Sequence, residues 1–381
     1  MRDSMEKGAK RVQGLTESVI REMTRKAKKH NAINLSQGYP EYPLDEKVKS
    51  EAKYAIDNGF NQYSITWGLE ELRNKVSKKL FDFNNLEYDP EFEVTITCGA
   101  SESIMSSLLG LVENGEEVLI FQPSYENYVP AVSMANGEPV FTTIGKDLEI
   151  NREDIKEKVS RDTKGMILNT PHNPTGKVFD KDEFRFIRDM CVDNDIIAFT
   201  DEMYEHIIFE GEHLSLATID DMWERTVTIG GFSKAYSITG WRVGYLAAPK
   251  ELMKPIRKAH DYTTVCSPTP FQKAAVSAIE LPEKYYEDMV EFYRMGRDLV
   301  YEELSKSKIK PALPDGAYYM MADISEYDMN DKEFADYLVK EKQVAVVPGT
   351  SFYEDGGEDL VRFCFSQKYD DLKEAMKRIV E

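Results

Sequence analysis

A lysine and an arginine stand eight residues apart in GGFSKAYSITGWRVGY, residues 230–245, where an apolar run ends in a small-residue turn. A lysine amine buried at such a point loses part of its preference for the charged form, so Lys234 could act as a nucleophile and form a Schiff base with a carbonyl. The Ser233 hydroxyl and the Arg242 guanidinium are suited to binding a phosphate. A single lysine is most often a solvated surface residue. This interpretation therefore depends on whether other segments supply further groups that bind the same ligand.

Other segments supply an anion site and two unusual charges. TCGASES places Gly99 and Ser101 between an apolar run and a helical stretch, and the start of a helix binds anions through its free N–H groups. Asp201 ends the apolar run DIIAFTD, where a buried carboxylate needs a partner. Arg362 interrupts the apolar run LVRFCFS and needs an anion. Taken singly, TCGASES could be an ordinary helix cap, Asp201 could belong to an acidic loop, and Arg362 could form a structural ion pair.

The elements that would position these groups follow an alternating pattern from about residue 90 onward. The runs VTITCG, EEVLIF, GMILNTP, DIIAFTDE and TVTIGGFSK predict strands, and amphipathic stretches between them predict helices. This alternation is typical of an α/β fold with a mostly parallel central sheet covered by helices on both faces. Ligands of such sheets bind at the carboxyl ends of the strands, which is where Lys234 and Asp201 stand.

The pattern changes beyond about residue 282. A long amphipathic helix precedes the strands AYYMMADI, VAVVP and LVRFCFS and the helices DKEFADYLVKE and DLKEAMKRIVE, which predicts a smaller α+β domain. A chain of 381 residues is also longer than a domain with a single hydrophobic core usually is. We therefore expect an N-terminal arm with part of the small domain over 1–40, a large domain over 41–282 and a small C-terminal domain over 283–381.

Composition excludes several classes of function. The 48 basic and 68 acidic residues give a net charge of −20, which disfavours nucleic acid and anionic membranes as partners. No apolar run approaches the roughly 20 residues that span a bilayer, and the polar N-terminal sequence does not resemble a signal peptide, so we expect a cytoplasmic protein. The four cysteines and five histidines lack the spacing of disulfide or metal sites, and no metal is expected.

The lysine segment resembles the lysine attachment motif of the class I aminotransferases, which are fold-type I pyridoxal-phosphate enzymes, and PSYENY, NTPHNPTGKVF and FTDEMYEHIIF resemble further motifs of that family. The resemblance covers nearly the whole chain. It is closest to the subgroup, called Iγ, that contains kynurenine and glutamine aminotransferases and many archaeal and bacterial aspartate or aromatic aminotransferases. It implies pyridoxal 5'-phosphate held on Lys234 and a homodimer with shared active sites.

The resemblance also implies a role for each residue of the site. Asp201 would pair with the pyridine nitrogen and keep it protonated, and Tyr125 would stack on the ring. Tyr204 and Asn173 would hydrogen-bond the ring oxygen, and Arg362 with Asn173 would bind the substrate α-carboxylate. The remaining positions that the resemblance assigns to the cofactor are Gly99, Ala100, Ser101, Asn169, Ser233 and Arg242.

Two N-terminal segments complete the resemblance. INLSQGYPEYP matches the family's substrate loop, where Gly38 would approach the substrate closely and Tyr39 would line the pocket. NQYSITWGLEELR matches a motif in which Tyr63 would reach the cofactor phosphate of the other protomer. Trp67 would line the partner's pocket, or would be buried for packing alone.

The implied reaction moves the amino group of an L-amino acid, with aspartate, aromatic or glutamine-like donors, to a 2-oxo acid such as 2-oxoglutarate by a ping-pong aldimine mechanism. In that mechanism Lys234 also serves as the acid–base catalyst. The aspartate-specific enzymes of the best-known subgroup bind the distal carboxylate with an added arginine, and no equivalent is evident in this sequence. A carbon–sulfur β-lyase on the same scaffold is the alternative, and a non-catalytic aminotransferase-like regulator is a remote one.

Overall fold

The structure is a computed structural model that describes residues 9–15 and 17–380, so part of the predicted N-terminal arm lies outside the described residues. The α-helices are α1 (Lys10–Gln13), α2 (Val19–His30), α3 (Glu46–Asp57), α4 (Glu70–Asn84), α5 (Ala100–Leu111), α6 (Tyr128–Met134), α7 (Arg152–Lys158), α8 (Lys181–Asp193), α9 (Lys250–Thr263), α10 (Thr269–Ile279), α11 (Glu283–Leu304), α12 (Asp331–Tyr337) and α13 (Tyr369–Val380). The strands are β1 (Ile33–Asn34), β2 (Val94–Thr97), β3 (Glu117–Gln122), β4 (Glu138–Thr143), β5 (Thr163–Asn169), β6 (Ile197–Asp201), β7 (Thr226–Gly231), β8 (Gly244–Ala247), β9 (Lys310–Pro311), β10 (Tyr319–Asp323), β11 (Val344–Ala345), β12 (Val347–Pro348) and β13 (Leu360–Cys364).

The large sheet has seven strands in the order β2-β8-β7-β6-β5-β3-β4. Strands β7, β6, β5, β3 and β4 are parallel neighbours, whereas β8 runs antiparallel to both β2 and β7. The predicted α/β fold with a mostly parallel central sheet is therefore confirmed. Strands β4 and β8 were not among the five predicted strands of this sheet. Strand β4 is a half-exposed edge strand and β8 has only four residues, so neither appears in the sequence as a long apolar run.

Helices cover both faces of this sheet. Along β3, Val118 and Ile120 face a core that includes residues of α5 and α9, whereas Leu119 and Phe121 face a core that includes residues of α8. Because successive side chains of a strand point to opposite faces, a strand that is buried on both faces reads as a continuous apolar run. This is why the predicted strands stand out in the sequence.

A second sheet, of order β12-β13-β10-β9, contains antiparallel strands from the C-terminal region. The short strand β1 pairs in parallel with β11, and Leu35 N donates to Ala345 O at 2.8 Å. This pairing joins the N-terminal segment to the C-terminal layer. The exact division of the chain into domains stays a prediction. Within the described residues, no helix is both long enough and apolar enough to cross a bilayer.

Candidate active site

The predicted chemical groups converge at one edge of the seven-stranded sheet. Asn169 and Asp201 are the last residues of the adjacent parallel strands β5 and β6 and stand opposite each other in the register. Lys234 follows the end of the next strand, β7. Parallel strands place their carboxyl ends at the same edge, so the three side chains meet in one cavity of about 270 Å³. The predicted residues that line it are Gly38, Ala100, Ser101, Tyr125, Asn169, Asn173, Asp201, Tyr204, Ser233, Lys234, Arg242 and Arg362.

The Lys234 amine occupies an enclosed, partly apolar position in this cavity. Its Nζ donates to the Gly38 carbonyl at 2.7 Å and lies 5.6 Å from the centre of the Tyr204 ring. Burial lowers the pKa of Lys234 to about 8, because the charged ammonium loses solvation. A larger share of neutral amine at physiological pH makes this lysine a competent nucleophile.

Asp201 lies buried at the cavity floor. Its Oδ2 accepts a hydrogen bond of 2.9 Å from Tyr128 Oη, and its Oδ1 accepts one of 3.2 Å from the Met203 amide. Burial raises the pKa of Asp201 to about 6, and the two hydrogen bonds oppose that rise. The nearby charge of Lys234 also lowers this pKa, although no Lys, Arg or His among the described residues forms an ion pair with the carboxylate. The neighbouring Glu202 is turned away from the cavity and accepts hydrogen bonds from Ser215 at 2.6 Å.

The anion site forms where helix α5 begins. Gly99 is the N-cap residue, with φ of 76°, and Ala100 and Ser101 of the first turn line the cavity. A Cβ on Gly99 would overlap the Arg242 guanidinium, so a larger residue would displace the guanidinium from the start of the helix. Arg242 Nη1 donates to the Thr239 carbonyl at 2.9 Å, which holds the guanidinium at the helix end. The arrangement combines a helix N-terminus with a cation, which suits a phosphate.

Arg362 enters the cavity from β13 of the second sheet. Its side chain is fully buried, Nη1 donates to Asn173 Oδ1 at 2.9 Å and Nη2 donates to the Ser36 carbonyl at 2.7 Å. Its Nε has no hydrogen-bond partner, and among the described residues no carboxylate pairs with the guanidinium. The ring of Tyr319 lies beneath it at 4.3 Å. A buried cation with an unused donor is prepared to bind an anion.

A chain of amide contacts connects these groups. The backbone N–H of Asn173 donates to Asn169 Oδ1 at 2.7 Å, and Asn169 Nδ2 donates to the Asp201 backbone carbonyl at 2.7 Å. Because Asn173 also binds Arg362, the Pro-rich turn after β5 fixes the position of the guanidinium relative to the sheet edge. The two sheets therefore contribute to one site.

Several residues of the cavity were not predicted. Tyr128 binds Asp201, and Tyr319 Oη lies 2.9 Å from Tyr204 Oη. Tyr128 follows Tyr125 by three residues, a helical spacing that could have indicated a shared face. The other unpredicted residues of the cavity wall are Ser18, Ile20, Arg21, Gln37, Ile104, Glu126, Met203 and Thr239.

Four predicted site residues lie outside the cavity wall of this chain. Gly99 has no side chain, and this leaves room for the Arg242 guanidinium at the start of α5. The carbonyl of Tyr39 accepts from Ser366 Oγ at 2.7 Å and its phenol lies beside Glu41, and its role toward a substrate stays a prediction. Tyr63 is 81% exposed, and Trp67 packs against Arg257, whose guanidinium lies 4.8 Å from the indole ring. The roles of Tyr63 and Trp67 toward a partner chain stay predictions.

Comparisons with known proteins match this chain over nearly its full length. The family model described as aminotransferase class I and II matches residues 30–379. The aspartate aminotransferase of Pyrococcus abyssi is 37% identical over 354 residues, which cover 92% of this chain and 91% of that protein. The aromatic-amino-acid aminotransferase 2 of Thermococcus litoralis is 36% identical over 352 residues, covering 91% and 90%. The solved structure of N-succinyldiaminopimelate aminotransferase from Mycobacterium tuberculosis has a TM-score of 0.95 and 33% identity, covering 98% of this chain and 99% of that one.

Proposed function

The chain belongs to the class I and II aminotransferases, a family of enzymes, and on that premise we propose that it moves the amino group of an L-amino acid to a 2-oxo acid such as 2-oxoglutarate. Its architecture is that of the fold-type I transferases. The observation that carries the proposal is that Lys234, Asp201 and Arg362 line one cavity. Among the described residues, these three side chains form no ion pair with one another, so structural charge pairing does not explain why they share a cavity.

Pyridoxal 5'-phosphate is the cofactor we propose, and the residues fit it. Lys234 offers a reactive amine for the aldehyde. The start of α5, Ser233 and Arg242 offer an anion site for the phosphate. Asp201 is a buried carboxylate without an ion-pair partner among the described residues, which suits a cationic ring nitrogen. Tyr125 lines the cavity and offers an aromatic face to the ring.

When bound, pyridoxal phosphate supplies an electron sink for the charge left by a bond that breaks at the substrate's α-carbon. Lys234 Nζ, whose pKa is lowered by burial, would accept the α-proton as general base and donate it back as general acid. Asp201 would remain ionised, since a neighbouring cation lowers its pKa from the raised value of the cofactor-free chain. Tyr204 would hydrogen-bond the ring oxygen.

The substrate α-carboxylate would bind Arg362 and Asn173. The guanidinium already donates to Asn173 and to the Ser36 carbonyl, so it is held in place before substrate arrives. Such preorganisation reduces the entropy lost on binding. Because Arg362 stands on the second sheet and Lys234 follows the first, a bound substrate would connect the two layers.

We also propose that the functional unit is a homodimer in which Tyr63 and Trp67 reach the partner's site. Tyr63 is 81% exposed, and Tyr262 is 94% exposed. The loop that carries Tyr63 is held by residues on either side of Tyr262, because His260 Nε2 lies 2.7 Å from the Thr66 carbonyl and Thr269 Oγ1 donates to the Gln62 carbonyl. Exposed aromatic residues of this kind favour an interface. Cytoplasmic location stays a prediction.

A panel of amino donors with 2-oxoglutarate tests the proposed function. The holoenzyme should form glutamate together with the 2-oxo acid of at least one donor, and Lys234→Ala should form neither. No observation favours the carbon–sulfur β-lyase, and cystathionine in the same panel separates it, because a lyase would release pyruvate and ammonia without any acceptor. A wild-type enzyme that transaminates no donor would overturn the proposal.

A further inference from the structure

Two tyrosine hydroxyls meet at the wall of the cavity. Tyr204 follows strand β6 of the large sheet, Tyr319 is the first residue of β10 in the second sheet, and their Oη atoms lie 2.9 Å apart. Both side chains are buried and line the cavity. Among the described residues, neither hydroxyl has another hydrogen-bond partner. One of the two protons therefore lies between the two oxygens, and the other is free to point into the cavity.

Packing holds the hydroxyl of Tyr319 in one position. A Cβ on Gly38 would overlap Tyr319 Oη, so the phenol occupies the space that the glycine leaves. The Tyr319 ring meets the Tyr204 ring edge-on, with the two ring centres 5.7 Å apart. The Tyr319 hydroxyl is thus directed at a single polar group, the phenol oxygen of Tyr204.

The charges that face the two phenols indicate which of them donates. Burial raises the pKa of both, but the Arg362 guanidinium, 4.3 Å from the centre of the Tyr319 ring, acts to lower the pKa of Tyr319. The charge of Asp201 acts in the opposite direction on the pKa of Tyr204. Lys234 Nζ also lies 5.6 Å from the centre of the Tyr204 ring, but under the proposed function this amine joins the cofactor. Because the more acidic phenol is the better donor, Tyr319 donates and Tyr204 accepts.

We propose that Tyr319 is a positioning residue whose hydroxyl donates a hydrogen bond to Tyr204 Oη, so that the Tyr204 proton is directed to the ring oxygen of the cofactor. This inference rests on the proposed function and adds a residue to the same site. A phenol that accepts a hydrogen bond becomes a stronger donor, because successive hydrogen bonds polarise one another. The chain thereby connects the second sheet, which carries Arg362, to the cofactor ring at the edge of the first.

The pH dependence of the holoenzyme's visible absorbance band tests the proposal without turnover. A hydrogen bond from Tyr204 stabilises negative charge on the ring oxygen, and this lowers the pKa of the nitrogen that Lys234 contributes to the bound cofactor, because the two atoms share a proton. Tyr319→Phe weakens that hydrogen bond and should raise the pH midpoint of the band by about half a unit, whereas Tyr204→Phe removes it and should raise the midpoint by about one unit or more. Tyr293→Phe removes the hydroxyl of a buried tyrosine outside the cavity wall and, as the matched control, should leave the midpoint unchanged.

A double variant separates positioning from packing. Because Tyr319 acts through Tyr204, adding Tyr319→Phe to Tyr204→Phe should move the midpoint no further. An unchanged or lowered midpoint in Tyr319→Phe, or the same shift with and without the Tyr204 hydroxyl, would overturn the proposal and leave the proposed function standing. A wild type that forms the band but transaminates no donor would refute the proposed function, and the titration would still decide the role of Tyr319.

Discussion

Tyr128 Oη donates a hydrogen bond of 2.9 Å to Asp201 Oδ2, and both buried residues line the cavity. The phenol is the one side-chain donor to this carboxylate among the described residues. Burial raises the pKa of Asp201 to about 6, and the Tyr128 hydrogen bond acts against that rise. The pair therefore sets how much negative charge faces the proposed ring nitrogen.

Tyr128→Phe should raise the pKa of Asp201 further and weaken cofactor binding, because less carboxylate is ionised near neutral pH. A charge-assisted hydrogen bond contributes about 1.5–3 kcal/mol, so we expect a loss of about tenfold in affinity for pyridoxal phosphate. Absorbance titrations from pH 5.5 to 8 measure it, and the midpoint of the pH dependence should move upward. Tyr301→Phe, outside the cavity, is the control; equal affinities in Tyr128→Phe and the control would contradict the assignment.

Asp201→Asn should stabilise the cofactor-free chain while abolishing transamination. The folded-state pKa of Asp201 is raised, so the folded state binds more protons than the unfolded state between pH 3.8 and about 6, and stability falls as pH rises through that window. Removing the charge recovers about 1–3 kcal/mol at pH 7. Denaturant unfolding of the apoprotein should show a clear gain at pH 7 and a small one at pH 4. A gain of the same size at both pH values would rule out the ionised carboxylate as its source.

Gly99→Ala should weaken phosphate binding, because the new Cβ would overlap the Arg242 guanidinium. We expect affinity for pyridoxal phosphate to fall about tenfold or more, while affinity for pyridoxal, which has no phosphate, changes little. Gly115→Ala is the matched control, since Gly115 has a φ of 84° and no atom within 4 Å of an added Cβ. If both variants lose affinity equally, backbone strain explains the effect and the Arg242 contact does not.

His260 should act as a buried cation that fixes the loop carrying Tyr63 and Trp67. Its Nδ1 donates to Glu102 Oε1 at 2.9 Å and its Nε2 donates to the Thr66 carbonyl at 2.7 Å, so both ring nitrogens face acceptors. Burial opposes the charge, but the hydrogen bond to Glu102 raises the pKa of His260 above 6.5 overall. His260→Ala should lower the free energy of unfolding by about 2–4 kcal/mol.

The pH dependence identifies the charge of His260. A group whose folded-state pKa is raised contributes stability that is complete below the unfolded pKa and is lost as pH rises through the folded pKa. The difference between wild type and His260→Ala should therefore be largest below pH 6.5 and should shrink above it. Denaturant unfolding at pH 6 and pH 9 measures this, with His30→Ala on helix α2 as the control. A difference that is independent of pH would indicate packing alone.

A site residue can be predicted from the sequence when its side chain is unusual for the segment around it, such as a charge in an apolar run. Asp201 and Arg362 are charges at or within apolar runs, and Lys234 follows a strand, so each is visible locally. Tyr128 and Tyr319 are aromatic residues in apolar segments, which is also the pattern of ordinary core. Their place at the site follows from packing between elements distant in the chain.

The remaining features depend on long-range geometry in the same way. The antiparallel insertion of β8 between β2 and β7 brings Arg242 to the start of α5, and strand order of this kind is not encoded in local periodicity. The backbone of Tyr39 accepts a hydrogen bond from Ser366, 327 residues away, and a local sequence motif does not reveal such a contact. Arg21 has the local pattern of a solvated helix residue, and only the fold places it in the cavity wall.

The half-reaction of the purified holoenzyme with single amino acids, in the absence of any 2-oxo acid, isolates amino transfer at Lys234. At least one L-amino acid should remove the cofactor's visible absorbance band and release one equivalent of its 2-oxo acid, and the Lys234→Ala variant should do neither. If no amino acid bleaches the band in the wild-type enzyme, the protein is not an aminotransferase that acts through Lys234.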